Sequence, residues 1–328
     1  MRRRLLLLAL LAAGCDLSPT VDVDTPDFET RLSLRAVLGV GSPARVRVGI
    51  ARDPFAAVAD GARAEVPDDV TLTVWRGDDL VDTLPFAPRT CYEQRRFTCD
   101  AETGQTVVDE TGPYECGRYV GTVRLDAGPV TVRAERPGLP VAQAEVVIPA
   151  APVLSARATG LAGGRLGFGF EVDDVPGQAS RFGLALLREY DRVERSVCAV
   201  GGLRDTTLAI EPRTYATSFG TDDPVLRAAA REVDDRHTLI VFDDASFADT
   251  RGAFTLNTEP DDRSGRLGTG RFAVQLAALS PVLYDYLRET TFALDTETPF
   301  DEPANLPSNV TGGYGHVGAI AVAEAPAD

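Results

Sequence analysis

The sequence contains no lysine, and it has only one methionine, one tryptophan and two histidines. The histidines, His237 and His316, lie about eighty positions apart, and neither an HExxH nor a GxSxG motif is present. These motifs supply the metal ligands of many zinc hydrolases and the nucleophile of α/β-hydrolases. The sequence therefore indicates no catalytic residue, no metal site and no cofactor.

Long hydrophobic runs are also missing. A helix needs ~18 or more consecutive apolar residues to span a bilayer, and the run Leu5–Ala13 is much shorter. It follows three arginines and ends at Gly14 and Cys15, which is typical of a secretory signal with a lipobox. We predict that residues 1–14 form a lipoprotein signal peptide and that Cys15 carries the lipid anchor. An ordinary cleaved signal followed by a coincidental cysteine is the alternative.

The segment after the signal has little apolar content. Residues 15–29 contain two prolines, several small residues and four aspartates, so we predict a solvated acidic tether. The whole chain has a formal net charge of −16, and such a charge repels phosphate backbones. Nucleic acid is therefore not an expected partner, whereas membrane lipid reached through acylated Cys15 is.

The chain has five cysteines, and four remain if Cys15 is lipidated. An even number of cysteines in an exported protein favours disulfide bonds. The four candidates are Cys91, Cys99, Cys116 and Cys198. Three of them lie close together in the chain, so we expect at least one local bridge, with Cys91–Cys99 as the first choice and the other pairing open. Zinc is the alternative, but the sequence has no CxxC pair and no histidine near this cluster.

Period-two alternation of apolar and polar residues dominates residues 30–149. Val46, Val48 and Ile50 would share one face of a strand, and the stretch 70–74 repeats the pattern before a turn at Gly77. Such spacing predicts an immunoglobulin-like or transthyretin-like β-sandwich. Between Phe86 and Glu115 the alternation fails, so we predict a long cysteine-bearing loop there.

A linker at residues 149–152, with a proline at each end, indicates that a second domain starts at residue 150. Residues 150–328 again alternate in the pattern of strands, which predicts a β-rich domain with one or two short helices. Ser280 followed by proline and Asp223 followed by proline are typical helix starts, because they supply a capping oxygen and a proline at the first helical position. The chain is therefore predicted to be mainly β.

The most specific passage outside the lipobox runs from Leu279 to Ile320. A helix with Tyr284 and Tyr286 precedes a segment of the form P-x-N-x-x-S-N-hydrophobic-x-G-G-x-G. This passage resembles the end of the domain-of-unknown-function family 4249 of bacterial outer-membrane lipoproteins. The matching residues of the segment are Pro303, Asn305, Ser308, Asn309, Gly312, Gly313 and Gly315. Residues 222–226 and 241–244 are similar to two further blocks of that family, whereas His316 stands where a hydrophobic residue is usual. From the residues alone, the segment fits closure of the sheet better than ligand binding.

The resemblance implies an outer-membrane lipoprotein with its domains on the periplasmic or the cell-surface face. It also implies a partner, a TonB-dependent receptor whose ligand uptake the lipoprotein assists. The family supplies no catalytic residues that could be carried over. We therefore expect a non-enzymatic accessory or binding protein. A surface hydrolase acting on polysaccharide or peptide is one alternative, because a catalytic triad can assemble in space without a local motif. An adhesive or structural envelope component is the other.

Overall fold

The computed structural model describes residues 29–51, 66–162, 165–173, 179–234, 237–246, 251–258, 266–294 and 307–327. Within these residues the chain forms mainly β-strands, which are arranged in four sheets, and two α-helices. The predicted β-rich fold class is therefore confirmed. The predicted signal peptide, Cys15 and the tether up to residue 28 lie outside the described residues.

An N-terminal β-sandwich forms the first half of the structure. One sheet of the sandwich contains β1 (Arg31–Gly39), β2 (Pro43–Ala51), β5 (Phe86–Ala87) and β8 (Arg118–Arg124). The facing sheet contains β3 (Thr71–Arg76), β4 (Asp79–Leu84), β9 (Gly128–Glu135), β10 (Ala142–Ile148) and β20 (Val310–Thr311). Alternate side chains of both sheets, such as Leu34, Val48 and Val132, are buried in one hydrophobic core. This arrangement confirms the predicted sandwich and explains the period-two pattern.

Residues 90–115 form a β-hairpin, so the long cysteine-bearing loop predicted between Phe86 and Glu115 is wrong. Strands β6 (Thr90–Asp100) and β7 (Gln105–Glu115) pair in an antiparallel ribbon. The prediction relied on alternation between a buried and an exposed face. Phe97 on β6 and Val107 on β7 are both exposed. Because none of the described side chains of β6 and β7 is buried, the pairing of these strands left no such alternation in the sequence.

The second half of the chain adds two groups of strands. A four-stranded sheet in the described part contains β11 (Val153–Ala162), β12 (Arg165–Asp173), β15 (Phe219–Gly220) and β18 (Arg251–Thr258). The other strands are β13 (Arg181–Ala199), β14 (Gly202–Thr217), β16 (Ala230–Asp234), β17 (His237–Asp243), β19 (Arg266–Leu279) and β21 (Tyr314–Pro326). Phenylalanines dominate their common core, where the rings of Phe242 and Phe254 lie 5.4 Å apart. This core is separate from that of the sandwich.

Two helices begin where the sequence predicts them. Helix α1 (Pro224–Ala229) is capped by Asp223, whose carboxylate accepts hydrogen bonds from the backbone N–H groups of Val225 and Leu226. Helix α2 (Pro281–Leu294) follows Ser280, whose hydroxyl accepts a bond from the N–H of Leu283 at 3.4 Å. A single turn of 3-10 helix at Asp244–Ser246 follows β17. In each α-helix a side-chain oxygen satisfies N–H groups of the first turn, which have no partner inside the helix.

Strand β21 joins the two halves. It pairs in parallel with β1 and antiparallel with β19, so the described strands include one ten-stranded sheet that runs through both halves. Val317 on β21 is buried in the sandwich core. Ala327, which directly follows the last residue of β21, is buried in the second core. The linker at residues 149–152 separates the halves along the chain, but their sheets are continuous in space. Within the described residues, no helix has the length and apolar character needed to cross a membrane.

Candidate functional site

The closing segment, residues 308–315, crosses from one sheet of the sandwich to the other. Its strand β20 pairs with β10, and two glycines later β21 starts beside β1. A Cβ atom at Gly312 would overlap the carbonyl oxygen of Val141, and one at Gly315 would overlap that of Leu34. Both glycines also have positive φ angles, 68° and 103°. The glycines predicted from the sequence therefore sit where backbone meets backbone.

The polar residues of the closing segment hold it in place. The Ser308 hydroxyl donates to the carbonyl oxygen of Gly315 at 2.7 Å. The Asn309 amide donates to the carbonyl oxygens of Val317 at 2.9 Å and Glu145 at 3.3 Å, and it accepts from the N–H of Val317 at 3.0 Å. These bonds link β10, β20 and β21, as expected for a segment that closes a sheet. The other two candidates of this motif, Pro303 and Asn305, lie outside the described residues.

All four candidate cysteines form disulfides, but the first-choice pairing Cys91–Cys99 is wrong. The bonds are Cys91–Cys116 and Cys99–Cys198, with Cα atoms 5.8 Å and 5.3 Å apart. In the hairpin, Cys91 and Cys99 lie on one strand, eight positions apart in the sequence. At ~3.4 Å per residue this places them roughly 27 Å apart, far beyond the reach of a disulfide. The hairpin instead brings Cys116 back beside Cys91 at its base.

The bond between Cys99 and Cys198 joins the β6–β7 hairpin to the β13–β14 hairpin, and we call this unit the paired hairpins. Phe97 and Val108 are cross-strand partners on the same face as Cys99, and Leu203 is the cross-strand partner of Cys198. Phe97 is 64% exposed and Leu203 is 68% exposed. Apolar side chains of both hairpins therefore reach solvent near the disulfide that connects them.

A cleft opens on the second half of the chain, between α1, β17 and α2. Its volume is about 500 Å³. One wall is the apolar surface of α1, with Pro224, Val225, Ala228 and Ala229. The rest of the lining is formed by residues 241–243 at the end of β17 and by Tyr284 and Arg288 on α2. The cleft thus joins three stretches that are far apart in the sequence.

The polar groups of the cleft surround Tyr284. Its hydroxyl donates to Asp243 Oδ2 at 3.3 Å. The guanidinium carbons of Arg288 and Arg181 lie 5.5 Å and 5.7 Å from the centre of the Tyr284 ring. Burial raises the pKa of the Tyr284 phenol, and the nearby Asp243 carboxylate raises this pKa further. The phenol therefore stays protonated at neutral pH and acts as a hydrogen-bond donor.

A family model described as "Domain of unknown function (DUF4249)" matches residues 19–325. The chain belongs to this family. The match covers nearly the whole chain, as the sequence resemblance predicts, and it includes the sandwich, the paired hairpins, the cleft and the closing segment. No curated protein matches the chain significantly. The arrangement of the side chains must therefore indicate the function of this DUF4249 chain.

Three of the four blocks that carry the DUF4249 resemblance in the second half contribute to the cleft, and the fourth, the closing segment, does not. Pro224 and Val225 belong to the block at residues 222–226, Asp243 belongs to the block at 241–244, and Tyr284 is one of the two helix tyrosines. Each block is visible in the sequence, but their meeting is not, because it depends on how α1 and α2 pack on β17. The resemblance was the signal that could have indicated this site.

The cleft offers binding groups. The lining residues in the described part of the chain provide one carboxylate, one phenol and one guanidinium, and they include no serine, cysteine or histidine. Among the described residues there is also no group of three or more histidine, cysteine, aspartate or glutamate side chains placed to hold a metal ion. An apolar wall with a few convergent polar groups is the usual composition of a small-molecule site.

His316 departs from the family pattern and lies beside Tyr286, the second tyrosine of α2. It is buried on β21 and not in a loop, and its ring stacks on that of Tyr286 with centroids 4.3 Å apart. Its Nε2 atom has no hydrogen-bond partner among the described residues. Burial lowers the pKa of His316, and the positive charge of Arg35 lowers it further, whereas a bond to the backbone of Val282 opposes this fall. The imidazole therefore packs against α2 as a neutral ring.

Proposed function

We propose that this chain is a lipid-anchored outer-membrane binding protein that assists a TonB-dependent receptor in ligand uptake, without catalysing a reaction itself. The cleft is the observation that carries the proposal. Its volume of about 500 Å³ lies within the ~300–1,000 Å³ of typical small-molecule sites. Family-like residues from three separate stretches of the chain meet in this cleft, and they supply hydrogen-bonding groups beside apolar residues of α1.

The membrane anchor rests on Cys15 and the signal peptide predicted before it. We expect the wild-type protein to pellet with outer membranes and to require detergent for release. Replacing Cys15 with serine removes the thiol that would take the lipid, so the protein should move to the soluble fraction after cell lysis. Membrane pelleting of Cys15→Ser in high salt would contradict the anchor.

The receptor partnership is supported by the paired hairpins. A large exposed apolar patch is unusual on a monomeric surface and often marks a protein interface. Phe97 and Leu203 are exposed apolar side chains, and they lie on two hairpins that a disulfide holds together. We propose that this surface contacts the receptor, whereas the cleft on the second half holds the ligand.

Crosslinking in intact cells followed by mild detergent extraction tests the partnership. The wild-type protein should co-purify with a large β-barrel receptor, and Phe97→Asp combined with Leu203→Asp should reduce its recovery at least tenfold. Val153→Asp is the matched control, because Val153 is 66% exposed but lies on β11, away from the hairpins. Recovery of the lipoprotein alone from wild-type cells, with efficient crosslinking of other known complexes, would contradict the partnership.

The absence of catalysis has its own test. A panel of glycans and peptides incubated with the purified protein should show no turnover above buffer. Turnover that disappears in Asp243→Asn would instead identify a hydrolase that uses the carboxylate of the cleft.

A further inference from the structure

We propose that the cleft binds a small zwitterion, an α-amino acid with an apolar side chain and both of its termini free. This inference rests on the proposed function as a binding protein and specifies the class of ligand. It depends on the two signs of charge that lie in the cleft and on the apolar wall that faces them.

The charged groups of the cleft lie close together. Asp243 accepts a hydrogen bond from the hydroxyl of Tyr284 at 3.3 Å, and the guanidinium carbon of Arg288 lies 5.5 Å from the centre of the same tyrosine ring. The carboxylate and the guanidinium therefore both lie beside one tyrosine side chain. The ammonium and the carboxylate of an α-amino acid are attached to the same carbon, so they can reach two such groups at once.

Both signs of charge are needed for a good fit. A ligand with only a carboxylate or a phosphate would place its charge beside the Asp243 carboxylate. A ligand with only an ammonium would place its charge beside the guanidinium of Arg288, which lies over the ring of Tyr284. A zwitterion pairs its ammonium with Asp243 and its carboxylate with Arg288, so that each of its charges faces a charge of opposite sign.

The apolar wall receives the side chain of the ligand. Val225, Ala228 and Ala229 on α1 present no charge to the cleft. Asp223 fixes the start of this helix through its two capping bonds. A cleft of about 500 Å³ accommodates an amino acid with a branched aliphatic or aromatic side chain. A strongly polar side chain would lose its hydration against this wall without gaining a partner.

Calorimetric titration of the full-length lipidated protein in detergent tests the inference with three probes. L-leucine has both charges, N-acetyl-L-leucine lacks the ammonium, and L-leucinamide lacks the carboxylate. We expect L-leucine to bind and each blocked form to bind at least tenfold more weakly. No heat with L-leucine at millimolar concentration, or equal binding of L-leucine and N-acetyl-L-leucine, would overturn the inference.

Three variants assign the contacts. Asp243→Asn should remove the preference for L-leucine over N-acetyl-L-leucine, and Arg288→Gln should remove its preference over L-leucinamide. Ala228→Trp should block all three probes by filling the cleft from an exposed position of α1, where a larger side chain does not disturb a core. A denaturant unfolding curve for each variant confirms that it is folded. Preferences that persist in folded Asp243→Asn and Arg288→Gln would overturn the assignment.

The outcome of the titration does not depend on the outcome of the receptor experiment. The titration uses the isolated chain, so absence of a receptor in the crosslinking experiment does not affect it. If the receptor co-purifies but L-leucine does not bind, the class of ligand is wrong and the accessory role stands. If L-leucine binds but no receptor is recovered, the protein is an amino-acid-binding lipoprotein that acts without that partner.

Discussion

The closing segment and the paired hairpins connect the same two halves of the chain in different ways. The closing segment is packed between backbones, and it leads into β21, which lies between β1 and β19. The paired hairpins project apolar side chains into solvent and are joined by the Cys99–Cys198 bond. A connection packed against backbone restricts the residue at each point of close approach, whereas a covalent connection requires two cysteines and leaves neighbouring side chains available for a partner.

The largest effect is expected from removing the covalent connection. Cys99→Ser combined with Cys198→Ser removes the bond between two residues that are 99 positions apart in the chain. In the chain-entropy description, losing such a bond costs about 4 to 5 kcal/mol of the free energy of unfolding. Chemical denaturation under non-reducing conditions measures this loss.

The second disulfide is the control for this prediction. Cys91→Ser combined with Cys116→Ser removes a bond between residues 25 positions apart, for which the same description gives about 3.5 kcal/mol. A larger loss for Cys91–Cys116 than for Cys99–Cys198 would show that the bond between the hairpins does not constrain the unfolded chain. The two halves would then depend on the closing segment alone.

The next largest effect is expected from a substitution in the closing segment. Gly315→Ala adds a Cβ atom against the carbonyl oxygen of Leu34 at a φ of 103°, so we expect a loss of about 3 kcal/mol from overlap and backbone strain together. Gly138→Ala is the matched control. Gly138 has a φ of 81°, but a Cβ atom added there would meet no atom within 4 Å beyond its chain neighbours, so its loss should be about 1 kcal/mol. Equal losses would mean that conformation, and not close approach, requires glycine at residue 315.

A smaller effect tests the hydrogen bonds of the closing segment. Asn309→Ala removes the bonds to Val317 and Glu145 and leaves backbone groups of β21 unsatisfied. We expect a loss of about 2 kcal/mol in thermal or chemical unfolding. Thr311→Val, which removes one exposed bond to Gln143, should cost less than about 0.5 kcal/mol. Similar losses for both variants would show that Asn309 contributes no more than a surface side chain.

The difference between local and long-range contacts explains which parts of the fold could be predicted from the sequence. Val46, Val48 and Ile50 are buried, and their strand was predictable because burial imposes alternation. The helix starts at Asp223 and Ser280 were predictable because capping depends on neighbouring residues. In both cases the signal lies within a few residues of the feature that it predicts.

The parts that could not be predicted depend on contacts between distant residues. Cys99 bonds to a cysteine 99 positions away, and no spacing within the first cluster indicates that partner. Among its described side chains, the β6–β7 hairpin has none that is buried, so burial imposes no pattern on its sequence. Asp243 and Tyr284 were visible as parts of family-like blocks, but their hydrogen bond forms only after α2 packs beside β17. The cleft was therefore recognised through the three-dimensional structure.

The smallest effect concerns His316, which lies just after the closing segment. Burial lowers its pKa in the folded protein below the ordinary value of 6.5, so the unfolded chain binds more protons at this residue below pH 6.5 and the folded state loses stability as the pH falls. Well above pH 6.5 the imidazole is neutral in both states and contributes no pH dependence. We expect the wild type to lose more stability on acidification through this range than His316→Phe, which keeps a ring to stack on Tyr286. Carboxylates contribute equally to both proteins, so unfolding curves above and below pH 6.5 isolate the histidine. Equal pH dependence in the two proteins would mean that the site of His316 accepts a charged imidazole beside Arg35. The packing of β21 against α2 would then exclude charge less strictly than the packing at Gly315 excludes a side chain.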